Sequence, residues 1–191
     1  ARDGLEFYGY LYKPLQASAD KPVPALLWIH GGPGGQSVPA WSAEIQFLVN
    51  HGYAVFDLNY RGSGGFGRAF SMADDQKHGR EPLYDCIDAK RWLASNVEWV
   101  DPERIGILGG SYGGYMVMAA LAFAPDEFAV GVDIFGVTNW VRTLENTPPW
   151  WESFKQALYR EIGNPETQED LLYEISPLFH AENIRRPVII L

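Results

Sequence analysis

A serine hydroxyl becomes a useful nucleophile only when the backbone lifts it clear and its surroundings stabilise the charge it creates. Ser111 sits in a context suited to both. Gly109 and Gly113 flank it in the pattern Gly-x-Ser-x-Gly, between the apolar runs IGIL (105–108) and YMVMAALAF (115–123). On a sharp strand-to-helix turn, such a serine projects its hydroxyl above the sheet, and the flanking glycines keep side chains out of the corner. The helix that follows aims free N–H groups and its positive dipole end at the same point. The N–H of Tyr112 is then placed to stabilise the oxyanion of a tetrahedral intermediate. The competing reading is a packing corner without chemistry, and Gly114 suits helix packing in either case.

A second oxyanion donor is expected from HGGPG (30–34), which follows the apolar run ALLWI (25–29). Acyl-transfer sites of this layout use a backbone N–H from such a loop, and glycines let the backbone approach the substrate oxygen. Pro33 has no N–H, so the donor is a glycine, and Gly32 is preferred to Gly31. His30 precedes the turn and reads as a residue that orients the loop rather than as a base.

A rival glycine loop, GSGGFG (62–67), matches the dinucleotide-binding pattern Gly-x-Gly-x-x-Gly. That fingerprint opens a helix at once and reaches an acidic residue about 20 positions later at the end of the next strand. Here Gly79 and Pro82 interrupt the stretch, and the next clear strand begins only near Ile105. No nucleotide or other cofactor is expected. Arg61 reads as a structural ion-pair residue and Cys86 as core. His51 and His78 read as loop residues. No Cys/His cluster and no His-Glu-x-x-His pattern suggests a metal.

The elements that position these corners alternate. LEFYGYLYKP reads as an antiparallel strand ending at Pro14. ALLWI, YAVFDLNY (53–60), IGIL, AVGVDIF (129–135) and PVIIL (187–191) read as buried strands. Between them lie helical patterns from Trp41 to Val49, over 83–94 and over 115–123, with further helical pieces such as WWESFKQALYREIG in the aromatic-rich stretch 138–180. Strands alternating with helices predict an α/β fold, a mostly parallel sheet with helices on both faces. Ligands gather at the carboxyl ends of such strands, where each glycine-rich break falls.

Composition narrows the function. With 15 Lys and Arg against 24 Asp and Glu, the net charge is -9, and no basic block marks a nucleic-acid partner. No apolar run is long enough to span a membrane, and ARDGLEFYGY lacks the layout of a signal peptide. The single cysteine, Cys86, excludes an internal disulfide and fits a reducing, cytoplasmic location.

The corners HGGPGG, NYRGSGGFGRAF and GGSYGGYM, in this order and spacing, resemble the catalytic domain of the prolyl oligopeptidase family, nearest its acylaminoacyl-peptidase and dipeptidyl-peptidase branches. The resemblance runs from DGLEFYGYLYKP to SPLFHAENIRRPVIIL, and GGSYGGY after DPERIGI is its most specific part. It implies an α/β-hydrolase fold, Ser111 as acylating nucleophile, and Gly32 and Tyr112 as oxyanion contacts. It further implies that Val137 and Trp140, in FGVTNW, line an apolar or proline-accepting pocket for the residue before the scissile bond; packing is the other reading of Trp140.

In α/β-hydrolases the order is Ser, then Asp or Glu, then His. The resemblance places the acid just after the strand that PVIIL begins and the base one strand later. Residues 1–191 are therefore expected to be a partial catalytic domain, lacking the triad Asp and His, the last strand and helices (roughly 50–70 residues by average element lengths), and the family's N-terminal propeller. An internal Asp133–His180 pair is disfavoured because His180 precedes the last strand, on the wrong side of the sheet. The expected function is a serine peptidase acting on short peptides, inactive as this piece alone. A carboxylesterase and a non-catalytic binding module remain the alternatives, and the oligomeric state is open.

Overall fold

The computed structural model describes residues 1–191. Six strands and seven α-helices follow one another as β1 (Tyr8–Tyr12), β2 (Val23–Ile29), α1 (Ala43–Asn50), β3 (Ala54–Asn59), α2 (Arg68–Ser71), α3 (Glu81–Asn96), β4 (Val100–Gly110), α4 (Tyr112–Phe123), β5 (Gly131–Ile134), α5 (Trp140–Glu145), α6 (Glu152–Glu161), α7 (Glu169–Glu174) and β6 (Val188–Ile190). A 3₁₀ segment, Pro177–Asn183, precedes β6. The sheet order is β1-β3-β2-β4-β5-β6. β1 runs antiparallel to β3, and every other pairing is parallel.

Strand β2 shows why the sheet is sandwiched. Ala25, Leu27 and Ile29 are fully buried on one face, with Ile105 and Ile107 of β4 beside them. They join Leu83, Cys86 and Leu93 of α3 and Met116 and Leu121 of α4 in one core. Burying each such Leu or Ile contributes about 1.5–3 kcal/mol. On the opposite face Trp28, Leu108 and Val132 line one apolar groove with Phe47 and Leu48 of α1. Helix α4 is buried from Tyr112 to Ala122, so its run of Met, Val, Ala and Leu has no polar stripe.

Several boundaries differ from the sequence reading, and those of α1, β4 and α4 have a clear physical reason. Helix α1 begins after Ser42, whose Oγ accepts from the Ile45 N–H at 3.2 Å, and leaves Trp41 outside at 80 % exposure. Strand β4 starts at Val100 rather than Ile105, because Val100 pairs with Val23 before the register shifts. Helix α4 starts at Tyr112 rather than Tyr115: Gly113 and Gly114 disfavour a helix locally but fit where side chains would not. A Cβ on Gly113 would strike the Ile29 carbonyl, and one on Gly114 would strike the Asp133 carboxylate.

Candidate active site

The parallel register assembles the site. Ile29, the last residue of β2, pairs with Gly109 of β4, so the loop beginning at His30 emerges beside Ser111. Gly110 pairs with Ile134 of β5, and the Ser111 N–H donates to the Ile134 carbonyl at 3.0 Å. All three glycine-rich corners, after β2, β3 and β4, leave the same edge of the sheet.

Ser111 occupies the N-cap position of α4 with φ 56 and ψ -119. A left-handed backbone at a non-glycine residue costs of order 1–3 kcal/mol and marks functional corners. A serine at a helix N-cap normally folds its hydroxyl back onto an N–H of the first turn. Ser42 and Asn139 do so at α1 and α5, at 3.2 and 3.0 Å. Ser111 does not: its hydroxyl makes no hydrogen bond within the chain and the residue is exposed. Its flanking glycines are sterically required. A Cβ on Gly109 would lie 2.6 Å from the Gly113 carbonyl.

The loop after β2 closes over this corner. A Cβ on Gly31 would lie 3.4 Å from Ser111 Cβ and 3.9 Å from its Oγ. Gly32 follows with φ 137, where a Cβ would strike the Gly35 nitrogen. The N–H groups of Gly32 and Tyr112 donate to no loop or cap carbonyl.

Buried polar groups hold that loop in place. His30 stacks on Tyr60 at 4.5 Å and spans Gly31 O and Ser63 Oγ, each at 2.8 Å. A carbonyl only accepts, so Nδ1 carries the proton toward Gly31, and burial pushes the imidazole pKa down. Asn59 brackets Ser37 with two backbone bonds of 2.8 and 2.9 Å. The rival glycine loop serves the same end: the Gly64 N–H donates to Gly35 O at 2.9 Å. It opens only the four-residue α2, too short for a dinucleotide helix. Arg61 anchors its start in a buried ion pair. Its Nε and Nη2 reach Asp85 at 2.8 and 2.7 Å, and Nη1 reaches Asp3 at 2.7 Å.

The remaining histidines and acids lie apart from Ser111. His180 packs edge-on against Phe123 at the far end of α4, about 18 Å along the helix at 1.5 Å per residue. The Asp133 Oδ1 accepts from the Gly136 N–H at 2.8 Å and does not meet His180. His78 is 1 % exposed and is no loop residue in the ordinary sense. Its Nδ1 lies 2.5 Å from the Tyr112 hydroxyl, and desolvation drives its pKa down to about 3, opposed only by the Glu161 carbonyl.

Trp140 is buried at 3 % exposure, 5.1 Å from Tyr115 and 6.3 Å from Tyr112, so it joins the buried aromatic layer at the start of α4. Val137 is half-buried against the same core. Two features escaped the residue patterns. The Tyr112 ring enters the core, and Phe135, with φ 43 and 71 % exposure, stands beside Gly110. An exposed aromatic in a strained backbone at a strand's carboxyl end is the signal that points to Phe135.

Known proteins resemble this chain in sequence and fold. Dipeptidyl aminopeptidase BIII of Pseudoxanthomonas mexicana is 39 % identical over 198 residues, covering all of this chain and 29 % of the relative. Dipeptidyl peptidase family member 6 of Caenorhabditis elegans is 33 % identical, with the same two coverages. The chain thus spans less than a third of these relatives. Among solved structures, the acylaminoacyl peptidase of Pyrococcus horikoshii superposes with a TM-score of 0.88 at 28 % identity, over 98 % of this chain and 30 % of that one. An acylaminoacyl peptidase in complex with Z-Gly-Gly-Phe-chloromethyl ketone gives a TM-score of 0.85 at 29 % identity, over 98 % and 30 %. The fold is that of the α/β-hydrolase peptidases. With residues 39–191 matching the prolyl oligopeptidase family model, the chain belongs to the prolyl oligopeptidase family.

Proposed function

We propose that the chain supplies the nucleophile and oxyanion half of a serine peptidase that cleaves short peptides through an acyl-enzyme on Ser111. The observation that carries this reading is the Ser111 hydroxyl itself, strained out of its capping position, exposed and unbonded. In the proposed reaction Ser111 Oγ attacks the scissile carbonyl carbon and loses its proton to a base. The Gly32 and Tyr112 N–H groups hold the resulting oxyanion. Collapse expels the amine, which takes that proton, and water then releases the acyl group by the reverse path. Val137, half-buried, borders the pocket for the residue before the scissile bond, and Trp140, 3 % exposed, supports that pocket from the core. The peptide-derived ligand named for the solved acylaminoacyl peptidase is consistent with a peptide substrate.

The base and its carboxylate come from polypeptide outside residues 1–191. His30, His78 and His180 are each engaged elsewhere, so this piece alone turns over substrate poorly or not at all. A fluorophosphonate probe should label Ser111 in the full polypeptide that carries the chain, and Ser111→Ala should abolish labelling. Labelling that survives Ser111→Ala would overturn the assignment. An esterase passes through the same oxyanion, and the ratio of amide to ester turnover separates the two.

A further inference from the structure

Beneath Tyr112 lies a polar cluster that the peptidase reading does not use. Asp74 and His78 are 0 % and 1 % exposed, and both Asp74 carboxylate oxygens and His78 Nε2 are buried without a hydrogen-bond partner. Glu161, at the end of α6, brings its carboxylate to the same point, and one donor atom from each of the three residues lies within 4.8 Å of the others. No lysine or arginine pairs with Asp74 or Glu161; the chain's ion pairs all lie elsewhere.

The backbone is shaped to make this meeting. Gln76 adopts φ 54 between Asp74 and His78, and its N–H donates to the Glu161 carbonyl at 2.6 Å. Its side chain accepts from Gln168 at 2.9 Å. Asp74 lies against the α-carbon of Gly62, where a Cβ would strike the carboxylate. Unpartnered buried acceptors cost about 1–3 kcal/mol each, more when charged. One proton bridges two acceptors at most, whereas a cation satisfies three at once.

We propose that Asp74, His78 and Glu161 bind a divalent transition-metal ion, with Zn²⁺ the best match. One imidazole nitrogen and two carboxylate oxygens suit Zn²⁺ in a four-coordinate site whose remaining position takes water. The outer contact fits as well. In the tautomer protonated at Nδ1, beside the Tyr112 hydroxyl, Nε2 offers its lone pair to the metal, as a ligating histidine requires. A groove of about 350 Å³ on the Glu161 side of the cluster is lined by Gly34, Gly62, Arg68, Asp75, Arg160 and Glu161. The ion would tie the 74–78 turn, the end of α6 and, through His78, the start of α4 into one unit. The proposal does not depend on Ser111 being the nucleophile.

The test uses the full polypeptide carrying this chain, without a polyhistidine tag, stripped by chelator and titrated with ZnCl₂ in a calorimeter. The expected result is one Zn²⁺ whose binding weakens about tenfold or more in Glu161→Gln and in Asp74→Asn. Both variants keep the side-chain shape. Zn²⁺ should also raise the melting temperature of the wild type but not of the variants. Co²⁺ loaded into the wild type should show the visible absorption of a four-coordinate ion, a readout that stands even if a variant misfolds. Absence of stoichiometric Zn²⁺ uptake, binding unchanged in both variants, or uptake of Mg²⁺ or Ca²⁺ in preference to Zn²⁺ would each overturn the proposal.

Discussion

Replacing Gly31 by alanine separates the chemistry of the corner from its stability. The backbone of Gly31 is outside the left-handed region, so alanine is conformationally acceptable. Its Cβ would meet Gly110 O at 3.3 Å and Ser111 Cβ at 3.4 Å. The first contact is tight and the second ordinary, so the fold cost sits at or below the low end of the roughly 1–3 kcal/mol seen for overpacking. The same methyl would stand 3.9 Å from Ser111 Oγ. A reacting carbonyl carbon must come within about 3–3.5 Å of that oxygen, with its own oxygen turned toward the Gly32 N–H. Loss of one oxyanion donor costs about 100–1000-fold in kcat. Displacing the carbonyl should reach at least the lower figure, about 2.7 kcal/mol of transition-state stabilisation. Fluorophosphonate labelling rate and peptide kcat/KM in the full polypeptide measure this, with the melting temperature as control. Rates within threefold of wild type at unchanged stability would refute the placement of this loop at the reaction centre. Gly32→Ala should behave differently, since φ 137 and the Gly35 backbone oppose any side chain there, and both stability and rate should fall.

Arg61→Met strands Asp85, fully buried, without its guanidinium. A loss of about 3–5 kcal/mol in urea unfolding is expected, largely recovered in Arg61→Met with Asp85→Leu; a loss below about 1 kcal/mol would show that the pair is not buried as described. Asp3 is held at a pKa of about 2 against an ordinary 3.8, chiefly by its hydrogen bond from Arg61. Its contribution is therefore present above pH 3.8 and fades as pH falls through about 2. Because Asp3 is 47 % exposed, the effect is that of a solvent-screened pair, and Asp3→Asn should flatten only the acid limb of the stability curve. Cys86 is wholly buried and its thiol pKa is pushed up by desolvation; a thiol reagent should label it only on unfolding, and fast labelling of the native protein would contradict its packing.

Much of this molecule could be read along the chain. Alternation of apolar runs with helical stripes located the strands and the main helices, because burial on both faces of a parallel sheet imposes continuous hydrophobic runs. The Gly-x-Ser-x-Gly corner was legible because sterics at a strand-to-helix turn admit few residues, and HGGPG because a backbone donor needs glycine. What stayed hidden was whatever depends on segments far apart in sequence. His78 looks like a loop histidine until α6 and α4 cover it. Asp74 and Glu161 carry no spacing signature, since a cluster assembled from one turn and the end of a distant helix has no period.

The local rules of backbone sterics and hydrophobic periodicity thus reside in the amino-acid order itself: the elements, the Gly-x-Ser-x-Gly corner and the glycine loops are written there. The tertiary structure alone decided the neighbours. Pairing Ile29 with Gly109 set the loop after β2 against Ser111, and the turn at Gln76 brought Asp74 and His78 against Glu161. Register and packing choose among contacts that no short stretch of chain can specify, because their energies belong to pairs of distant residues.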